Sequence, residues 1–170
     1  MRAIADYDRA LALQGDAAPL YNSRGLAYYE QGNLTQAIAD YTQAIRLRSD
    51  FAEAYYNRGR ALVDSGDLEQ AIADYSRALD FKPGWGAAYL GRGVAYATAG
   101  ATERAIADYS QALALTPDAA VAHCNRGLAY QRLGRRDDAV VDLRRCEELS
   151  HDAALTQHAA EHRQELERQP

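Results

Sequence analysis

Apolar and small residues recur along this chain in a short rhythm nested inside a long one. Within 52–65, Tyr55, Gly59 and Leu62 fall at i, i+4 and i+7, on one face of a helix, with polar side chains between them. Gly66 follows as the kind of residue that ends a helix after its last turn. From Leu68 to Phe81, the residues Ala71, Ile72, Tyr75, Ala78 and Leu79 make a second helical stripe, which Pro83 and Gly84 stop. Pro117 repeats that stop one unit later. The pattern predicts two amphipathic helices joined by a tight glycine turn.

The long rhythm is a step of 34 residues, kept by Gly25, Gly59, Gly93 and Gly127, by Gly32, Gly66, Gly100 and Gly134, and by Ala27, Ala61, Ala95 and Ala129. The series Ala3, Ala37, Ala71, Ala105 and Ala139 keeps the same step. So do Tyr7, Tyr41, Tyr75 and Tyr109, with Leu143 fifth, and Ala10, Ala44, Ala78 and Ala112, with Cys146 fifth. Glycine inside a helix costs about 1 kcal/mol relative to alanine, so four interior glycines imply close backbone contact, with tyrosines filling the gaps. A two-helix unit cannot bury its own apolar face. Its neighbours must, which makes stability a sum of nearest-neighbour interfaces.

The run Tyr-Tyr-Asn-Arg-Gly-Arg-Ala-Leu, then Gly-Asp-Leu-Glu-Gln-Ala-Ile-Ala-Asp-Tyr-Ser-Arg-Ala-Leu and Lys-Pro, within 55–83 resembles the tetratricopeptide repeat. The family's large-small-small-aromatic series stands here as Tyr55, Gly59, Leu62, Ala71, Tyr75, Ala78 and Pro83. The resemblance implies an all-α, right-handed α-solenoid of tandem two-helix repeats. Full repeats are expected at 18–51, 52–85, 86–119 and 120–153, with the second helix of a truncated repeat at 1–17 and a capping helix at 154–170. Departures are His123 for the aromatic, Leu143 for Tyr, and Gly15, Ser49 and His151 where proline is usual. Residues 1–14 read as a piece of a longer array with an exposed stack face. Leu155, Ala159, His162 and Leu166 stripe the cap, and Glu-Arg-Gln-Pro at 167–170 is expected to fray.

The resemblance also implies a function: a non-catalytic module whose first helices line a concave groove for a peptide or helix of a partner protein. The groove candidates are Asn22, Leu26 and Tyr29; Tyr56, Asn57 and Arg60; Leu90 and Val94; and Asn125 and Leu128. Glu30, Asn33, Val63, Asp64, Thr98, Cys124, Gln131 and Arg132 are also off the packing stripe. Relatives that grip the terminal carboxylate of chaperone tails do so with lysine, asparagine and arginine on successive first helices. The corresponding places here are Asn22, Leu26, Asn57, Ala87 and Gly91. Only Asn57 matches, so that clamp is not expected. The alternative reading is self-association into a homodimer through the N-terminal stack face.

Two charged series share the period. Arg24, Arg58, Arg92 and Arg126 precede the interior glycines, and Asp40, Asp74, Asp108 and Asp142 (with Asp6 before them) precede the aromatic of each second helix. A merely solvated charge has no reason to keep a period, so each Arg is expected to reach the Asp of its own unit.

Composition changes little in this picture. The chain is 48% hydrophobic and 25% charged, ordinary for a folded protein. A net charge of −5 argues against a nucleic-acid partner, and no apolar run approaches the roughly 20 residues of a membrane span. The start, Met-Arg-Ala-Ile-Ala-Asp-Tyr, lacks a secretion-signal core. Cys124 and Cys146 suggest neither a disulfide framework nor a metal spacing, with Cys124 lining the groove or half-buried and Cys146 in the core. A reducing cytoplasm follows as the default setting. His158-Ala-Ala-Glu161-His162 matches the H-x-x-E-H form of some zinc peptidases, but a third ligand and a cleft are needed, so surface histidines are expected. No G-x-G-x-x-G turn follows a strand. Neither cofactor, metal nor catalytic site is expected.

Overall fold

The computed structural model describes residues 2–14 and 17–168, and it is all-α among them. Expectations resting on Gly15, Gln169 and Pro170, and on the side chain of Ala3, lie outside the described residues. The helices are α1 (Arg2–Gln14), α2 (Ala18–Glu30), α3 (Leu34–Leu47), α4 (Ala52–Ser65) and α5 (Leu68–Phe81), then α6 (Gly86–Thr98), α7 (Thr102–Leu115), α8 (Ala120–Arg132), α9 (Arg136–Leu149) and α10 (Ala153–Arg168). They fall into two compact units, Met1–Pro83 and Gly84–Pro170. Helices α4 and α5 span the segments that the apolar stripes mark out.

Local chemistry sets the helix ends. Gly66 adopts φ +87°, a left-handed conformation open to glycine, and its N–H donates to the Val63 carbonyl at 3.0 Å while Asp67 N–H reaches the Leu62 carbonyl at 2.9 Å. The next helix starts at once, because the Asp67 carboxylate accepts from the backbone N–H of Gln70 at 3.3 Å and from its side chain at 2.6 Å.

In the first unit α2 pairs with α3 and α4 with α5, α3 packs on α4, and α1 packs on α2. In the second, α6 pairs with α7 and α8 with α9, while α10 lies on α9 and also touches α8. Each hairpin is closed by an aromatic or leucine against a glycine. Tyr41, Tyr75, Tyr109 and Leu143 are 1%, 2%, 2% and 0% exposed, and face Gly25, Gly59, Gly93 and Gly127. A Cβ built on Gly93 would lie 2.6 Å from the Tyr109 ring, closer than packed atoms approach, whereas on Gly59 it would lie 3.3 Å from Tyr75. Burial pushes the Tyr109 phenol up to about 12.

The core of the last hairpin differs from the expectation. Cys124 on α8 and Cys146 on α9 form a disulfide, with Cα atoms 5.2 Å apart. Both are buried, in a cluster with Ala139, Leu143, Ala159 and Leu166. Cys124 is therefore neither a groove-lining nor a half-buried thiol. The periodic series held no second cysteine pair to suggest the bond. The hairpin register does: Gly127 faces Leu143, and three residues back along α8 and three forward along α9 stand the two cysteines.

Candidate functional site

The charged series form the frame on which any site hangs. Arg24, Arg58, Arg92 and Arg126 each hold an Asp 16 residues on, with Nε and Nη2 donating to the two carboxylate oxygens of Asp40, Asp74, Asp108 and Asp142 at 2.6–2.9 Å. Two parallel bonds from a planar guanidinium are the strong form of an ion pair. The aspartates are buried and the arginines half-buried. The bond to Asp74 holds the Arg58 guanidinium above its ordinary range, and Arg92 and Arg126 are raised by Asp108 and Asp142 in the same way. Nη1 of three of these arginines turns to the preceding helix, reaching Asp8 from Arg24, Thr42 Oγ1 from Arg58 and Ser110 Oγ from Arg126.

Asp142 carries an extra load. His123 Nδ1 lies 2.8 Å from its Oδ1, and Nε2 lies 3.0 Å from the Pro117 carbonyl. Elsewhere a tyrosine occupies this place and the arginine stacks on it, as Arg24 does on Tyr21 and Arg58 on Tyr55. Histidine exchanges that stacking for two polar contacts.

First-helix side chains outside this frame include Asn22, Leu26, Tyr29, Tyr56, Asn57, Arg60, Leu90, Val94, Asn125 and Leu128, all half-buried. In the first unit several meet. Asn57 donates to Asn22 at 3.0 Å, joining α4 to α2. The Tyr29 hydroxyl donates to Asp64 at 2.6 Å, and Arg60 lies 4.8 Å from the Tyr29 ring and 5.9 Å from the Tyr56 ring. Desolvation and the bond to Asp64 raise the Tyr29 phenol. The side chain of Leu26 makes no such polar link.

The second unit presents another surface. Leu90 and Val94 on α6 pack against the Tyr109 cluster, and Leu128 on α8 against the disulfide cluster. Arg132 bridges α8 to α6 through the Ala97 carbonyl at 3.3 Å. Helix α10 is tied to α9: Arg163 clasps Glu147 of α9 at 2.7 and 3.2 Å, and Arg144 reaches Glu167 at 2.7 Å. The bond from Arg144, with another from Arg163, holds the Glu167 carboxyl below its usual range. Its last turn is thus tethered at Glu167, against the expected fraying there. His158 and His162 of α10 meet edge-on with ring centroids 4.6 Å apart, while Glu161 accepts from Gln157. Among the described residues, no three His, Cys, Asp or Glu side chains converge as a metal site.

Models of the TPR repeat match residues 25–63 and 95–134, and models of the tetratricopeptide repeat match 52–84 and 120–152. No curated protein matches the sequence. Among solved structures, MamA is 26% identical, aligned over 93% of this chain and 89% of its own, at a TM-score of 0.81. YrrB, a TPR protein with an unusual peptide-binding site, is 26% identical over 94% of this chain and 82% of its own, at 0.80. The TPR domain of Arabidopsis OM64 is 28% identical over 67% of this chain and 94% of its own, at 0.66.

Proposed function

Because the chain belongs to the tetratricopeptide-repeat family, an all-α helical-repeat solenoid used as a protein-interaction scaffold, we propose that its first helices hold a peptide or helix of a partner protein and that it does no catalysis itself. In this reading the repeats run over 18–51, 52–85, 86–119 and 120–153, with α1 as the second helix of a truncated repeat and α10 as a capping helix. One observation carries it. Half-buried first-helix side chains that take no part in the Arg–Asp frame hold one another, as in the Asn22–Asn57 bond and the stacking of Arg60 on Tyr29. Amide and phenol groups held in place suit an extended backbone, and the aromatic faces suit its side chains. The peptide-binding site of YrrB, a protein of similar fold, supports the same use.

Affinity capture with the native chain, beside Tyr56→Ala and Arg60→Ala, tests this. A partner held by the native chain should be lost from both variants at unchanged helical circular dichroism. Equal retention rejects the proposal.

A second reading rests on α1, which packs on α2 and leaves Leu13 86% exposed. A second copy covering that helix would give a homodimer. Light scattering across a dilution series, with Leu11→Arg in parallel, decides it: a mass that neither falls on dilution nor responds to the substitution removes the dimer. The cytoplasmic setting expected from the sequence assumed two unpaired cysteines. The Cys124–Cys146 bond, of a kind that persists in oxidising compartments, takes that ground away.

A further inference from the structure

Helix α10 forms a pocket with α8. Leu128, Gln131 and Arg132 of α8 and His158 and His162 of α10 line a cavity of about 400 Å³. Its apolar part is Leu128, its polar part is an amide, a guanidinium and two imidazoles, and among the described residues no carboxylate lines it. Arg132 is exposed and, among the described residues, its one hydrogen bond goes to the neutral Ala97 carbonyl and none of the ion pairs includes it. That sets it apart from Arg126 and Arg163, whose charges are met by Asp142 and by Glu147 and Glu167. Nδ1 of His162 is buried and has no hydrogen-bond partner among the described residues, a state that is rare for a polar atom in a folded protein.

We propose that this pocket takes an acidic side chain of the bound partner, with the carboxylate between Arg132 and the His158–His162 pair and a neighbouring apolar residue against Leu128. The proposal rests on the partner-binding reading and adds to it the chemistry of one anchor. Charge complementarity selects the occupant. A metal cation would have two imidazoles one turn apart but also the Arg132 charge beside it, and Glu161, the acid between the histidines, is engaged by Gln157. A carboxylate instead meets donors on both walls, and charge-assisted hydrogen bonds are the stronger kind.

The probes are two capped dipeptides, N-acetyl-leucyl-glutamate amide and N-acetyl-leucyl-glutamine amide, which differ only in the side-chain charge. Each is titrated into the full chain while the Leu128 methyl and His158 and His162 ring signals are followed by NMR. The glutamate probe should shift those signals saturably and bind about tenfold tighter than the glutamine probe. Arg132→Gln, a surface change that leaves the fold intact, should erase that preference. Equal binding of both probes at these residues overturns carboxylate recognition while leaving the face as a peptide site. No shift from either probe overturns the pocket, whereas the partner-binding reading stands or falls on the Tyr56 and Arg60 variants in the other unit. Inorganic phosphate displacing the glutamate probe as readily as acetate does would also overturn the assignment, since the pocket would then be choosing charge without shape.

Discussion

The two units use one frame and dress it differently. In both, a bidentate Arg–Asp pair locks each hairpin and a tyrosine or leucine plugs the glycine opposite. The first unit then covers its first helices with groups that bond one another: Asn22 with Asn57, Tyr29 with Asp64, Arg60 on Tyr29. The second packs Leu90, Val94 and Leu128 of its first helices against its core clusters, binds α8 to α9 covalently, and adds α10. The difference separates what the fold requires from what the surface is free to vary. Positions that hold a hairpin shut keep the 34-residue period, and positions that face outward from α2, α4, α6 and α8 do not.

The comparison can be broken at four places. The largest effect belongs to Asp142→Ala, which strands the half-buried Arg126 and removes a partner of His123, and should cost about 3–5 kcal/mol. The matching Asp74→Ala leaves one stranded group instead of two and should cost less, by urea denaturation of the two variants. Costs below about 1 kcal/mol for both would mean that the frame behaves as exposed ion pairs. Next comes reduction of Cys124–Cys146, whose separation of 22 residues predicts a loss of about 3 kcal/mol. Hydrogen exchange should show that loss in α8 and α9 and leave α3 and α4 unchanged; a uniform loss would mean that the units do not open separately.

Third, Gly93→Ala must displace the Tyr109 ring and should cost roughly 1–3 kcal/mol. Gly59→Ala meets Tyr75 at 3.3 Å, and its strain is offset by alanine's helix preference of about 1 kcal/mol. Thermal melts should therefore separate the two, and indistinguishable melting would show that the rings yield equally. The smallest effect is that of Tyr29→Phe. It loses an exposed hydroxyl bond to Asp64, worth under about 1 kcal/mol, yet should weaken a partner that lies on α2 and α4.

Much of this was legible in the residues, for a physical reason. A close-packed hairpin needs a small residue opposite a large one, so Gly59 with Tyr75 and Gly93 with Tyr109 recur wherever the packing recurs. Arg58 and Asp74 lie on the same period, which fixes the offset at which they meet. The disulfide was missed because Cys124 follows Asn22, Tyr56 and Leu90 in its series, and Cys146 follows four alanines. Neither series marks a cysteine, and only the facing of α8 and α9 brings them together. The Arg132 and His162 pocket was missed for a related reason, since α10 has left the period and its position over α8 is a matter of tertiary packing.

The third nitrogen of Arg24, Arg58 and Arg126 has a consequence for how such chains arise. Arg24, Arg58 and Arg126 reach back to an oxygen that is a carboxylate at Asp8, a hydroxyl at Thr42 and a hydroxyl at Ser110. The coupling thus asks its predecessor for an acceptor and little more. Gene duplication that inserts or deletes one 34-residue block inherits both halves of the joint together, so an array of this kind can be lengthened or shortened without redesigning its seams.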